Sequence, residues 1–509
     1  MDDRKYEMMV WSLQGEALQA PGWFRAKVVF ISLFAYVVLF SLVAVLLTGL
    51  VFMYGASHGS IILRLIFASW VLVVVPIVWL SLRMFFKGTV APEGRELEEA
   101  EAPALFELVD ELRERVQGAV VHHVLITRDF NAAIMQCPRF GLFGGYRNYL
   151  ILGLPLLYAL TPDEARAVIA HEYGHLSGGH GKLTRWIYRQ RVTFAGLHVH
   201  ARARRERNKV NRLLAFLLDV FAPYYQAYTF VLSRQNEYEA DAIARDIAGA
   251  EPAAGALVRT SLLSTWLERT FWPKIYEPVS RSATPPFMPF ASMRKLLPVT
   301  MDEWASKERL QAVWKEESGV LDTHPCLRER LTALAQRPKV PPMPQTCAAD
   351  AFLGPYAQAL AREFDQAWWA AEKSRWVSRH HRHVRSTARI AQLEERPVSQ
   401  LNAPDAQELA LLLVEFRSLE AAKAVLHDLV HRPGERFPKP LYYYGRVLLA
   451  EQDERGLQYL EEAYRLSTAL WNDCAGAGYR WLAANRSLVA AKNWVVRLGA
   501  VHVAGLQAG

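Results

Sequence analysis

Hydrophobic and polar positions divide the chain into stretches of different pattern. From Val28 to Gly55 the chain is apolar, and no Lys, Arg, Asp or Glu falls between Lys27 and Arg64. A second charge-free run extends from Leu65 to Leu82. A helix of about 20 apolar residues crosses a bilayer core. The first run suffices, and the second does so if it starts near Ile61 and Arg64 snorkels to the interface, with a kink at Pro76 that neighbouring helices tolerate. A cleaved signal peptide fits poorly, because the run is too long and starts too late. The short linker Ala56–Ser60 makes the expected spans, about 28–55 and 61–82, a hairpin. Arg4, Lys5, Arg25 and Lys27 precede the first span, and Arg83, Lys87 and Arg95 follow the second. That charge bias places both ends on the cytoplasmic side.

The middle of the chain is patterned differently. Leu105, Leu108, Val109, Leu112 and Val116 have helical spacing within Pro103–Gln117. Short β-like runs follow at Val121–Thr127, Ala132–Gln136 and Tyr149–Leu154, with a turn-rich break at Gly141–Gly145. A helix then begins with a clear start signal: Thr161 as cap, Pro162 at the first helical position and Glu164 completing a T-x-x-E box. Gly178 and Gly179 are its expected end. Trp266–Phe290 is rich in aromatics and proline with little periodicity, which predicts a loop, read as a lid or wall of a cleft. Arg337–Pro344, with four prolines, reads as a linker. Beyond it the chain is helix-patterned and rich in Ala and Leu. Leu441–Leu466 resembles a tetratricopeptide repeat, with Tyr444-Gly445 in a first helix and Ala463 late in a second. Glu408–Leu429 and Gly478–Leu498 are weaker neighbours. Such helix pairs stack into a protein-binding surface; an ordinary helical domain fits the pattern equally well.

Composition narrows the class. The chain has 509 residues, of which 51% are hydrophobic and 22% charged, so it is neither disordered nor fibrous. Its net charge of +8 is mild for the length and does not suggest a nucleic-acid partner. Cys137, Cys326, Cys347 and Cys474 are scattered without a C-x-x-C, which excludes a disulfide scaffold, a cysteine zinc module and an iron–sulfur cluster.

Candidate chemistry lies on the capped helix, in His171-Glu172-Tyr173-Gly174-His175. Residues i and i+4 stand about 40° apart around a helix, so both imidazoles face one point. Two neutral histidines suit Zn²⁺, and Glu172 beside them is placed to take a proton from metal-bound water. His180, about 140° further round, is not an expected ligand. A catalytic zinc usually has three protein ligands. Glu237 and Asp241, in Ser233-Arg234-Gln235-Asn236-Glu237-Tyr238-Glu239-Ala240-Asp241, share a face. One could bind metal while the other accepts a hydrogen bond from a ligating histidine. An exposed acidic face fits the spacing equally well.

H-E-x-x-H followed by S-R-x-x-E-x-x-A-D resembles the membrane zinc metallopeptidase family that includes the HtpX heat-shock protease and the type I CAAX prenyl endopeptidase. Phe130-Asn131-Ala132-Ala133 resembles that family's substrate-holding edge strand, and Thr323-His324-Pro325 with Arg330 its T-H-P…R element. The resemblance covers roughly residues 90–335. It implies one Zn²⁺ per chain held by His171, His175 and Glu237, and Glu172 as general base. It further implies Asp241 and Arg330 as supports, His324 stabilising the tetrahedral intermediate, and Asn131 and Ala132 on the substrate backbone. Members like HtpX place further spans between the second His and the Glu. Here Leu213–Leu232 cannot be a lone span, since Glu237 would then lie across the bilayer from His175, and it reads as a core helix or a membrane-surface helix. The basic stretch Lys182–Arg212 suits anionic headgroups or a solvated face. Lys373–Arg389, with His380, His381 and His383, is a His-rich run that could bind metal but reads better as a solvated basic helix near the membrane.

The expected architecture is mainly α with an α+β catalytic core. It comprises a transmembrane anchor (1–90), a zincin-like metallopeptidase domain with a small sheet (91–336) and a tetratricopeptide-like helical domain (345–509). The expected function is a membrane-anchored zinc metalloendopeptidase acting on proteins or peptides, in a bacterial inner membrane with its catalytic domain in the cytoplasm. Membrane lipid and a protein partner on the C-terminal repeats are further expectations. The rivals are an inactive metal-binding scaffold, against which intact Glu172 argues, and a specialised prenyl-protein protease, for which no prenyl pocket is visible.

Overall fold

A computed structural model describes residues 3–57, 60–69, 71–72, 75, 91–138, 145–176, 186–187, 190, 202, 209–319, 324–434 and 436–507. These are mainly helical, with one small mixed sheet. The chain divides into two compact units, residues 1–275 with 287–369, and residues 276–286 with 370–509.

The first unit opens with α1 (Asp3–Gln19) and α2 (Pro21–Ser57). Among the described residues no helix is long and apolar enough to cross a membrane, so the expected transmembrane hairpin is not part of the fold as described. α2 does run through the first expected span, though several of its side chains between 35 and 46 lie outside the described residues. Most of the second span, from 70 onward, lies outside them as well. The N-terminus has a packing role that the sequence reading missed. Val10, Leu13 and Ala17 of α1 and Phe24 and Val28 of α2 form one buried cluster with Ala227, Phe230, Val231 and Leu232.

The sheet has the order β1 (Arg95–Glu96), β2 (His123–Thr127), β4 (Tyr146–Gly153), β3 (Ala132–Pro138). β2 runs parallel to β4, while β3 pairs antiparallel with β4 and, among the described residues, has no further strand on its other edge. Three strands were legible as apolar runs; two-residue β1 was too short to show a period. The turn before β3 needs glycine at one point. A Cβ on Gly153 would lie 1.8 Å from Asp129 O and 2.9 Å from Asn131 O, and Gly153 N–H donates to Asn131 O at 2.8 Å.

α3 (Pro103–Val116) buries Leu105, Leu108, Val109 and Leu112, the face its spacing predicts. After a short α4 (Leu154–Ala159) comes α5 (Pro162–Gly174), which ends as regular helix four residues before the expected Gly178; that glycine and Gly179 lie outside the described residues. So does most of the basic stretch 182–208. α6 (Lys209–Ala248) is a 40-residue helix with Pro223 inside it. Tyr225, Ala227 and the four residues Thr229 to Leu232 are buried, and Arg234, Glu237 and Asp241 follow at three- to four-residue spacing, so this part is a core helix.

α7 (Ala250–Trp266) continues through a π-helical turn, Leu267–Phe271, into α8 (Trp272–Tyr276) and a 3₁₀ turn, Glu277–Ser280. The loop expected over 266–290 is therefore helical for more than half its length. Aromatic packing holds it: Trp266 on Phe271, Phe271 on Trp272 and Trp272 on Phe290 lie 5.4–6.3 Å between ring centroids. Such packing needs no amphipathic period, which is why none was visible. α9 (Pro289–Val299), α10 (Met301–Trp304), α11 (Lys307–Lys315), α12 (Leu327–Ala333) and α13 (Ala348–Leu353) complete this unit, with the first part of α14 (Tyr356–Glu394). The proline-rich stretch 337–344 is irregular but not loose, since Pro342 O accepts a 2.7 Å bond from buried Arg259.

In the second unit, α15 (Ala403–Phe416) packs on α16 (Leu419–His431), α17 (Pro438–Ala450) on α18 (Gly456–Leu466), and α19 (Trp471–Asn485) on α20 (Leu488–Gln507). Their buried faces merge into one apolar core. Gly445 and Gly456 let α17 and α18 meet at backbone distance: a Cβ on either would fall within 2.8 Å of the other's carbonyl oxygen.

Candidate metal centre

Local sequence builds the first half of the site. Thr161 Oγ1 accepts from Glu164 N–H at 3.0 Å, and the Glu164 carboxylate accepts from Thr161 N–H at 2.9 Å, closing the capping box at the start of α5. Glu164 also binds Arg259 of α7 through two bonds of 2.9 and 3.2 Å, with both residues buried. Ala165, Ala167, Ile169, Ala170 and Tyr173 turn inward. His171, Glu172 and His175 are only partly buried and line a cavity of about 440 Å³. His175 is the C-cap, still right-handed at φ −68° and ψ −20°, so the i, i+4 relation survives the helix end. The two Nε2 atoms face each other at 3.3 Å.

Long-range packing supplies the rest. α5 and α6 cross where Gly174 meets Ala240: a Cβ on Gly174 would stand 2.9 Å from Ala240 Cα. Two small residues inside two candidate motifs thus set how closely the helices approach. One turn before Ala240, buried Glu237 places Oε2 3.7 Å from His171 Nε2 and Oε1 3.5 Å from His175 Nε2. The three residues offer ligand atoms that all lie within 4.8 Å of one another.

Around them runs a polar frame. Asp241 Oδ1 lies 3.0 Å from His171 Nδ1. Arg330 of α12 grips Asp241 with both prongs, at 2.5 and 2.8 Å. Arg234, one turn before Glu237, pairs with Glu329, the neighbour of Arg330. Helices α6 and α12 are therefore clamped by two adjacent Arg–carboxylate pairs, an arrangement well matched to the planar guanidinium. His324 Nδ1 lies 3.0 Å from Glu237 Oε2, with its side chain 71% exposed. Thr323 lies outside the described residues. Asn131, exposed, and Ala132, at the start of edge strand β3, line the same cavity. Glu239 points elsewhere and pairs with Arg25 of α2.

The electrostatics separate the carboxylates. Burial, and then the nearby Glu237, push the Glu172 carboxyl above its usual range, against a hydrogen bond from the Ile134 backbone of β3 and the pull of His171 and Arg330. Burial would raise Glu237 too, but its hydrogen bond to His324 and the adjacent His171 and His175 outweigh that and hold it low. Asp241, also buried, is brought down to about 2 by Arg330 and His171. Burial, then the neighbouring His171, lower His175 to about 4, which keeps it neutral near pH 7. His324 is raised by its bond to Glu237.

These residues fit a metal ion. Two imidazole nitrogens converge, and Asp241 beside the other ring nitrogen of His171 is placed to orient that ring toward a metal. A low-pKa carboxylate completes an N, N, O donor set of the kind that suits Zn²⁺. A cation at their meeting point would be within reach of all three side chains. Sequence reasoning missed the Ile134 contact to Glu172, the Arg259 anchor of Glu164, the Arg234–Glu329 pair and the Gly174–Ala240 crossing. Only the last left a sign in the sequence, as two small residues inside motifs otherwise made of functional groups.

An H-E-x-x-H helix, a carboxylate from a following helix and a neighbouring strand edge form an arrangement that could hold a metal beside a peptide. Residues 140–338 match the model of peptidase family M48, a segment that holds all three candidate ligands with Glu172, Asp241, His324 and Arg330. The match supports a metallopeptidase of that family, a hydrolase of peptide or protein substrates. No curated protein matches the chain.

Proposed function

We propose that the chain is a zinc-dependent metalloendopeptidase attached to a membrane. The observation that carries this reading is the convergence of His171, His175 and Glu237 beside Glu172, in a cavity bordered by a free strand edge. His171, His175 and Glu237 would hold the ion. When bound, Zn²⁺ supplies Lewis-acid polarisation of the scissile carbonyl and makes water a nucleophile at neutral pH.

The chain's own groups do the rest. The free edge of β3, from Ala132, offers backbone groups to an extended peptide. Glu172 takes the proton of the attacking water and returns it to the leaving amine nitrogen; burial raises its affinity for that proton. Asp241 holds the His171 ring, and Arg330 holds Asp241. His324, raised in pKa and exposed, is placed to donate to oxygen charge that develops at the carbonyl.

Membrane attachment is supported by the charge-free stretch 28–63 and by apolar side chains that α2 leaves exposed, among them Phe30, Val37, Val45, Val51 and Phe52. With the flanking basic residues, this favours a bacterial inner-membrane protein whose peptidase unit faces the cytoplasm. The paired C-terminal helices offer a surface for protein substrates or partners.

Glu172→Gln tests the central claim. Purified variant protein should lose hydrolysis of unfolded casein while retaining the metal content of the unaltered chain, since Glu172 is the base and not a ligand. Retained hydrolysis would end this assignment of the base.

A further inference from the structure

A second cavity of about 250 Å³ lies beside the first, and nothing in the catalytic scheme uses it. Phe130 borders both cavities. So does one stripe of the helical stretch formed by α7 and the π-helical turn after it: Ala253, Ala256, Leu257 and Thr260 of α7 line the cavity at the candidate metal centre, and Ser264 of α7 with Leu267 and Glu268 of the turn line the second. These positions recur at three- and four-residue spacing, so they form one continuous face running from one cavity to the other. The stripe changes in character along its length, from alanines beside the catalytic groups to bulkier side chains beyond. The second cavity is walled by Phe130, Pro155, Leu267, Trp272 and Met293, and exposed Arg128 and Glu268 bring opposite charges to it.

We propose that this second cavity is a substrate subsite that takes one bulky apolar side chain of the peptide, away from the scissile bond. The inference rests on the metallopeptidase reading and adds a substrate class to it: unfolded segments that carry a large aliphatic or aromatic residue at a fixed distance from the cleaved bond. Continuity decides the occupant. A peptide laid along β3 reaches Phe130 as it passes Ala132, because Phe130 and Asn131 lead directly into that strand. Alternate side chains of an extended peptide lie on one face, about 6–7 Å apart. Successive pockets along one groove therefore read residues of the same parity. The walls carry no net charge, and their chemistry selects for apolar bulk. Gly153 fixes the loop that presents Phe130, as it alone admits the close approach of Asp129 and Asn131.

The test uses fluorescein-labelled Ala/Gly nonapeptides in which a single Phe occupies each position in turn. Binding is read by anisotropy on the zinc-loaded full chain carrying Glu172→Gln, which separates binding from turnover. One Phe position is expected to tighten binding about tenfold over the Ala parent, equivalent to about 1.4 kcal/mol. Ser264→Trp, at an exposed position bordering the cavity, should fill it and abolish that gain while leaving binding of the Ala parent unchanged. Trp272→Ala should do the same by removing a wall. The proposal is overturned if no Phe position is preferred, or if the preference survives both substitutions. Failure of the peptidase reading looks different: the chain with Glu172 intact would bind these peptides with the same preference and cleave none of them.

Discussion

The two units of this chain hold themselves together by different chemistry. In the first, the helices around the candidate metal centre are joined by polar pairs that are buried or partly buried: Glu164 with Arg259, buried on both sides, and Asp241 with Arg330 and Arg234 with Glu329, each with one buried member. In the second, the helix pairs share a wholly apolar core, and pairs such as Arg486 with Glu454 and Arg417 with Glu394 sit at the surface. Apolar contact is non-directional and tolerates small shifts. A buried bidentate pair does not, and removing one partner leaves the other charge stranded. The first unit has its costly interactions where atoms must be held in fixed relation, around the three candidate metal ligands. The second unit relies mainly on apolar burial.

That contrast orders a set of expected outcomes. The largest concerns the site itself. Glu237→Ala should lose most of its zinc, and Asp241→Ala about 10–100-fold in zinc affinity, as for other partners that orient a ligating histidine. Glu239→Ala should stay near the unaltered chain, because Glu239 faces Arg25 and not the metal centre. Metal content after dialysis against a weak chelator gives the ranking, and zinc loss from Glu239→Ala alone would invert the ligand assignment.

Next in size is the buried anchor of α5. Arg259→Leu leaves Glu164 buried without its partner and should destabilise the first unit by about 3–5 kcal/mol in denaturant unfolding. A loss below 1 kcal/mol would mean that the buried pair does not distinguish this unit from the other.

Matched glycines sharpen the comparison further. Gly174→Ala pushes a methyl group against Ala240, and Gly445→Ala pushes one against the Gly456 carbonyl; overpacking of this kind costs about 1–3 kcal/mol. Only Gly174→Ala should also weaken zinc binding, since it separates the helices that carry His171 and Glu237. Equal zinc affinity in the two variants would show that the α5–α6 crossing does not set the site.

The smallest effect belongs to the surface of the second unit. Arg486→Ala removes an exposed ion pair with Glu454 and should change stability by less than about 1 kcal/mol, less still in high salt.

What could be read from the sequence was whatever is encoded within a turn or two of chain. The capping box of Thr161 and Glu164, the shared face of His171 and His175, the shared face of Glu237 and Asp241, the core face of α3 and the paired C-terminal helices all follow from helical spacing, which acts at short range. Spacing alone left Glu237 undecided between ligand and exposed acid. Only the crossing of α5 and α6 at Gly174 and Ala240 brings it to the two histidines, and only α12 provides Arg330 and Glu329 to clamp α6 in that register. Likewise, the aromatic contacts that make 267–280 helical, and the second cavity beyond Phe130, join residues far apart in the chain. Such contacts leave no period in the sequence, because each depends on what another element happens to place opposite it.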